Sequence, residues 1–258
     1  MANHPRHETG LVLSGGFIKG FAHLGVMQAL LENDIRPGII SATSAGALMG
    51  VFLSDGNEPF QVLEHFKGAR FKDFTDMVFP RQGFMDLGDL MDFLRSRIRA
   101  RNLEELSIPL IVTATDFEAG RSVHFSDGEI APRVAASCCM PILFRPVTVD
   151  GVRYVDGGVK MNLPVSPIRP FCDRIIAVNL GSTVYAADTT SIIGIAERCY
   201  DLMFNAATEK ELLIADYVIE PRDLEKYPNT RLDKAEEIFT AGYRTAKDLL
   251  TMTTTKLL

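Results

Sequence analysis

"LVLSGGFIKGFAHLG", residues 11–25, runs from three apolar residues through a serine, a glycine pair, Phe17, Lys19 and Gly20 into an apolar, helix-like stretch. A short strand, a loop of bare backbone and a helix form the opening of an α/β unit. The glycines leave the main chain open to a bound phosphate or to an oxyanion forming in a reaction. The same alternation recurs downstream. Apolar, strand-like runs stand at 10–14 (GLVLS), 38–42 (GIISA), 109–115 (PLIVTAT), 174–180 (RIIAVNL) and 217–221 (YVIEP). Strands so continuously apolar belong to a sheet covered on both faces. Helical patterns are predicted over roughly 20–33, 45–55, 87–99, 190–213 and 233–251, with Asp233 and Glu236 as a capping box opening the last. Two hairpins are expected, turning at Ala119-Gly120 and at Asp150-Gly151. The predicted fold is a three-layer α/β/α sandwich with a mostly parallel central sheet, one domain over 1–258.

Residues 57–107 interrupt the alternation with short helical pieces and loops. They carry Phe60, Phe66, Phe71, Phe74, Phe79, Phe84 and Phe93. These rings read either as ordinary core or as a cap or flap beside an apolar substrate.

The chain has 258 residues, 47% of them hydrophobic, enough for a sizeable core. Its net charge is −6 and its Lys and Arg form no long basic run, which disfavours nucleic acid as a partner. The opening "MANHPRHETG" has no apolar core and does not read as a signal peptide. The most apolar stretch, 38–53, is broken by Ser41, Thr43 and Ser44 and is shorter than the ~20 residues a membrane span needs. Cys138, Cys139, Cys172 and Cys199 lack metal-ligand spacing and suit a reducing compartment. The expectation is a soluble, cytoplasmic protein without metal or cofactor, making at most peripheral contact with a membrane.

"ISATSAGALMG", residues 40–50, places Ser44 directly after a strand and before a small-residue helix. That is the pattern of a nucleophile elbow, with Ala42 and Gly46 flanking the serine; a helix-capping serine has the same pattern. A serine nucleophile needs a base. The chain's histidines are His4, His7, His23, His65 and His124, with none beyond. Asp116 with His124 is the one pairing in the order of an α/β-hydrolase triad, and the two flank one short hairpin. His23 lies in the first helical stretch, where packing or hydrogen bonding is its expected role. A carboxylate is the other choice. "RYVDGGVKMNLP" puts Asp156 at a strand end before Gly157 and Gly158, either as a simple turn or as a group displayed where α/β proteins keep catalytic side chains.

SGGFIKG, TSAG and DGG, in that order, together with "ASCCMPILFRPVTVDGVRYVDGGVKMNLPV" (136–165), resemble the patatin-like phospholipase family, in particular its small bacterial members, over about residues 9–221. The resemblance implies a lipid acyl hydrolase that works through an acyl-enzyme, with a Ser–Asp dyad, no histidine and no metal. It implies Ser44 as nucleophile, Asp156 as general base, and the loop at Gly15, Gly16 and Phe17 as the source of oxyanion-hole amides. Lys19, Gly46, Gly157 and Gly158 take supporting places. The chain departs from the family pattern at Phe17 and Ala42, where glycines are usual. A phenylalanine keeps its N–H but resists φ > 0, so Phe17 is expected to hold the loop at negative φ and to stand beside the acyl pocket. Those departures also motivate a catalytically weak relative that binds acyl chains or a protein partner. A phosphate-binding use of SGGFIKG lacks both the Walker ending and dinucleotide-fold spacing.

Overall fold

Strand β1 (His7–Leu13) alternates its side chains between two cores: Leu11 and Leu13 on one face, Val12 on the other. It leads through a single 3₁₀ turn (Phe17–Gly20) into helix α1 (Phe21–Leu31). The remaining elements follow in order: β2 (Ile39–Thr43), α2 (Ala45–Ser54), α3 (Pro59–His65), β3 (Asp76–Met77), β4 (Met85–Asp86), α4 (Gly88–Arg97), β5 (Leu110–Asp116), β6 (Arg121–Phe125), α5 (Ile130–Cys138), β7 (Val147–Val149), β8 (Val152–Asp156), β9 (Cys172–Val178), α6 (Ile192–Leu212), β10 (Tyr217–Ile219) and α7 (Ala235–Thr255). The structure, a computed structural model, describes residues 6–68, 71–77, 85–181, 192–227 and 231–255. His4, Phe79, Phe84 and the first two positions of the helix expected over 190–213 lie outside the described residues.

The main sheet has the order β10-β9-β1-β2-β5-β8-β7, with β6 also paired to β5. Strands β10, β9, β1, β2 and β5 run parallel; β6, β7 and β8 are antiparallel additions. Residues of α1, α2, α4, α5 and α7 bury the larger core on one face. The segment 157–171 and the end of α6 cover the other, where Leu163, Val165 and Ile168 pack on Val12, Ile175 and Ala177. The mostly parallel three-layer α/β/α reading is therefore the observed one.

Strand β5 carries two partners along one edge. Its first half pairs with β2, ending at Thr43 opposite Thr113. Its second half pairs with β8, beginning at Asp156 opposite Ala114. Because β6 spans Val112–Phe125 through Asp116–Arg121 on the other edge, β2 and β8 must share this one and meet end to end. The residue after β2 is Ser44, and the residue that ends β8 is Asp156.

Two local expectations need correction. No capping box forms at Asp233. Its carboxylate accepts hydrogen bonds from Nε and Nη2 of Arg231, at 2.8 Å each, and a 3₁₀ turn (Leu232–Lys234) precedes α7. Helix α5 was not foreseen. Pro132 sits in its first turn, where no N–H is required, yet in the sequence a proline reads as a helix breaker. The hairpin at Asp150-Gly151 does form, both residues at positive φ (50° and 83°).

Helix α1 crosses α7 at unusually close range. A methyl group on Gly25 would overlap the carbonyl oxygen of Phe239, and one on Gly242 the carbonyl oxygen of Ala22. Gly25→Ala and Gly242→Ala should each lower the unfolding free energy by about 1–3 kcal/mol, since overpacking outweighs the ~1 kcal/mol gain in helix propensity. Urea denaturation tests this; unchanged stability in both variants would mean that α7 shifts freely over α1.

Candidate active site

Ser44 Oγ donates a hydrogen bond of 2.6 Å to Asp156 Oδ2, joining residues 112 apart in sequence. Ser44 lies at φ 52°, ψ −122°, a conformation that L-residues rarely adopt. Its hydroxyl makes no capping bond to α2, so the helix-capping reading does not describe it. A side chain at Gly46 would overlap the carbonyl oxygen of Leu13, and one at Gly157 that of Thr113. These glycines let the strand-to-helix turn and the end of β8 sit directly against neighbouring backbone.

The segment following Asp156 is stitched across the ends of β1 and β2. Thr43 Oγ1 donates to Met161 O (2.9 Å), Ser41 Oγ to Pro164 O (2.7 Å), and Gly15 N–H to Asn162 O (3.1 Å). Gly158 N–H donates to Asp156 Oδ1 at 2.8 Å. Thr115 Oγ1 donates to Asp156 O, also holding the carboxylate's own backbone. Two contacts come from the end of α5. Ser137 Oγ accepts the Ser44 N–H at 2.8 Å, and Cys139 O accepts the Asp156 N–H at 2.8 Å. Ser137, Cys139 and Asn162 had no separate signal in the sequence; only the family segment containing them was visible.

The loop after β1 stands against Ser44. A Cβ on Gly15 would come within 3.2 Å of Ser44 Cβ. The Gly15 N–H is already committed to Asn162, which narrows the expected trio of donors to two. The Gly16 and Phe17 amides have no hydrogen bond among the described residues. Phe17 adopts φ 52°, against the expectation that its side chain would hold the loop at negative φ. That conformation costs a non-glycine residue about 1–2 kcal/mol. Lys19 lies in the 3₁₀ turn, and its N–H donates to Gly16 O at 3.1 Å. Ala42 is fully buried and belongs to the main core, 3.6 Å from where a Cβ on Gly50 would stand, so its extra methyl is accommodated.

No histidine among the described residues contacts Ser44 or Asp156. His23 is buried and donates from Nε2 to Ser14 O at 2.8 Å; burial pushes its pKa down to about 4, so it is a neutral prop beneath the loop. His124 pairs through Nδ1 with Thr113 Oγ1 rather than with Asp116. Asp116 instead accepts the Ala119 N–H and faces Arg121. Among the described residues, no group of three or more His, Cys, Asp or Glu is placed to hold a metal ion.

Ser44 and Asp156 open into a cavity holding about 860 Å³ of empty space, part of it continuous with solvent. Its walls are overwhelmingly apolar, with Phe17, Leu48, Met49, Phe66, Phe74 and Phe144 prominent. Of the 57–107 phenylalanines, Phe66 is buried core and cavity wall at once, and Phe74 also lines the cavity. Burial pushes the Asp156 carboxyl up to about 7, while its bonds from Ser44 and Gly158 pull it down. Burial also raises the thiols of Cys138 and Cys139, the latter to about 12, leaving no competing thiolate near neutrality.

A family model described as patatin-like phospholipase matches residues 11–168, which include the loop after β1, Ser44 and Asp156. The chain belongs to the patatin-like phospholipase family. It is 31% identical over 179 residues to an uncharacterised NTE family protein of Mycobacterium tuberculosis, covering 68% of this chain and 50% of the relative. It is 30% identical over 183 residues to patatin-like phospholipase domain-containing protein 7 of Rattus norvegicus, covering 67% of this chain and 13% of that one. To a lysophospholipase of Mycosarcoma maydis it is 28% identical over 180 residues, covering 67% and 10%. The chain thus matches half the length or less of these curated relatives. Among solved structures, VipD from Legionella pneumophila shares the fold, with TM-score 0.54 at 16% identity, over 96% of this chain and 67% of that one.

The raised Asp156 pKa makes stability depend on pH. The folded-state value (about 7) lies above the ordinary 3.8, so the group stabilises the fold fully below pH ~4 and loses that contribution as pH rises through 7. Relative to Asp156→Asn, the wild type should lose on the order of 1–4 kcal/mol between pH 4 and 8. Parallel denaturation curves at the two pH values measure it; a pH-independent difference would place the carboxyl at an ordinary pKa.

Proposed function

We propose that the protein is a serine lipid acyl hydrolase, a phospholipase or esterase, using Ser44 and Asp156 as a dyad. The observation that carries this reading is the 2.6 Å bond between a strained, cavity-facing serine and a buried carboxylate with no histidine beside them. Asp156 Oδ2 takes the hydroxyl proton as Ser44 Oγ attacks the ester carbonyl carbon. The Gly16 and Phe17 amides meet the negative charge on the carbonyl oxygen. Asp156 then returns the proton to the leaving alcohol, and the acyl group stays on Ser44. Water, deprotonated by the same carboxylate, attacks the acyl-enzyme carbonyl; the bond to Ser44 Oγ breaks, the fatty acid leaves, and Asp156 returns the proton to Oγ. A base with a pKa near 7 suits both halves of this cycle better than an ordinary carboxylate. Its acid limb falls where an imidazole's would, so a pH profile alone does not distinguish the two.

The apolar cavity is the proposed acyl site, and Phe66, Phe74, Leu87 and Leu90 of the 57–107 region line it. No described helix is long and apolar enough to cross a membrane, so peripheral contact is the proposed mode of access. A binding protein without turnover is the contrasting reading, and reaction of Ser44 with a fluorophosphonate separates the two, because a mere acyl pocket holds no activated serine.

Ser44→Ala and Asp156→Asn should each reduce ester hydrolysis by at least ~10³-fold, and the double variant should be little worse than either, since groups that act as one unit are non-additive. Rates on p-nitrophenyl butyrate test this; near-normal turnover by either single variant would remove the dyad.

Phe17 lines the cavity beside the proposed oxyanion loop. Phe17→Gly relieves a strained φ and clears space, with a net stability change within about 1 kcal/mol. Its kcat/KM on long-chain p-nitrophenyl esters should rise relative to short ones. An unchanged chain-length profile would mean that the ring does not limit the acyl site.

A further inference from the structure

Ser44 must hold φ 52° for its hydroxyl to reach Asp156, and a residue so placed persists only when its surroundings over-determine it. The main-chain N–H of Ser44 is the handle. It donates to Ser137 Oγ at 2.8 Å, and that hydroxyl passes its own hydrogen to Thr113 O at 2.6 Å. Ser137 is completely buried in the last turn of α5. Thr113 is the β5 residue paired with Thr43, at the point where β2 gives way to β8. Two residues beyond Ser137, Cys139 O accepts the N–H of Asp156 at 2.8 Å. One helix end therefore grips the backbone of both dyad residues, through contacts that touch no substrate.

We propose that Ser137 is a positioning residue for the nucleophile. Its hydroxyl clamps the Ser44 amide to the centre of the sheet and so keeps Oγ on Asp156. This inference rests on the hydrolase reading above. Without the hydroxyl, the Ser44 N–H and the Thr113 carbonyl both lose their partner in a dry site. The strained turn then relaxes toward negative φ, which swings Oγ away from the carboxylate. The acyl cavity is untouched, because Ser137 is not among its walls.

The test is steady-state kinetics of Ser137→Ala on p-nitrophenyl butyrate, with competent sites counted by fluorophosphonate titration so that kcat is expressed per reactive serine. The expected result is a fall in per-site kcat of about 10–100-fold, the size of a sub-ångström to ångström misplacement, with KM changed less than about twofold. Ser137→Thr, which keeps the hydroxyl, should recover most of the loss. A merely structural role would reduce the number of reactive sites and leave per-site kcat alone, and that result would overturn the proposal. Should Ser137→Ala not fold, Ser137→Cys, of nearly the same volume and a much weaker partner, is read by the same criterion. Wild-type protein that leaves the fluorophosphonate untouched would sink the hydrolase reading. A reactive wild type with equal per-site turnover in the variant would sink this inference alone.

Discussion

Everything at the candidate site depends on one edge of β5 serving two strands. Strand β2 occupies the first half in parallel and β8 the second half antiparallel, and their C-terminal ends collide between Thr113 and Ala114. A serine just beyond one end and an aspartate at the other are thereby brought to hydrogen-bond distance across 112 residues of chain. In an all-parallel sheet every strand delivers its C-terminal end to the same rim, side by side; here the antiparallel β8 meets β2 head to head. The antiparallel hairpin β7–β8 is thus the part of the sheet that sets Asp156 against Ser44.

Head-on placement also buries the carboxylate. Asp156 sits at 2% exposure with no ion pair among the described residues, held by the Ser44 hydroxyl and the Gly158 amide. Burial outweighs those two bonds and lifts its pKa to about 7. The fold gives up stability above neutrality to keep this carboxylate buried beside the Ser44 hydroxyl. Histidine is usually the side chain that titrates there. Here desolvation gives a carboxyl the same range, while the nearby imidazole, His23, is driven the other way and kept neutral by the same physics.

Strain and crowding surround the pair. Ser44 and Phe17 both lie at φ 52° and both face the cavity, one as the proposed nucleophile and one beside the proposed oxyanion donors. Both conformations are costly, and the surrounding hydrogen bonds hold them: Ser137 and Asp156 on Ser44, Asn162 and Ser14 on the loop that ends at Phe17. Gly46 and Gly157 are needed for a different reason, since each presses directly on a neighbouring carbonyl. At this site glycine serves through its lack of volume, while the positive-φ positions are held by Ser44 and Phe17.

The sequence by itself determined the parallel strands of the main sheet, because their apolar runs are local and continuous; β3 and β4, two residues each, carry no such run. The α/β alternation and the glycine-bearing motifs around Gly15, Ser44 and Asp156 were legible for the same reason. It also singled out the two hairpins, whose turn residues carry the signal. Helix α5 was not legible, since it is short and carries Pro132, which reads as a helix breaker although it stands in the first turn. The capping box at Asp233 was misread because Arg231, two residues away, competes for the carboxylate. Only the tertiary structure decided that Gly15 spends its amide on Asn162, that Phe17 accepts positive φ, and that Ser137 and Cys139 hold the backbones of Ser44 and Asp156. These outcomes depend on where distant segments run out of space or find a hydrogen-bond partner. Such constraints are imposed by packing, and no spacing along the chain encodes them.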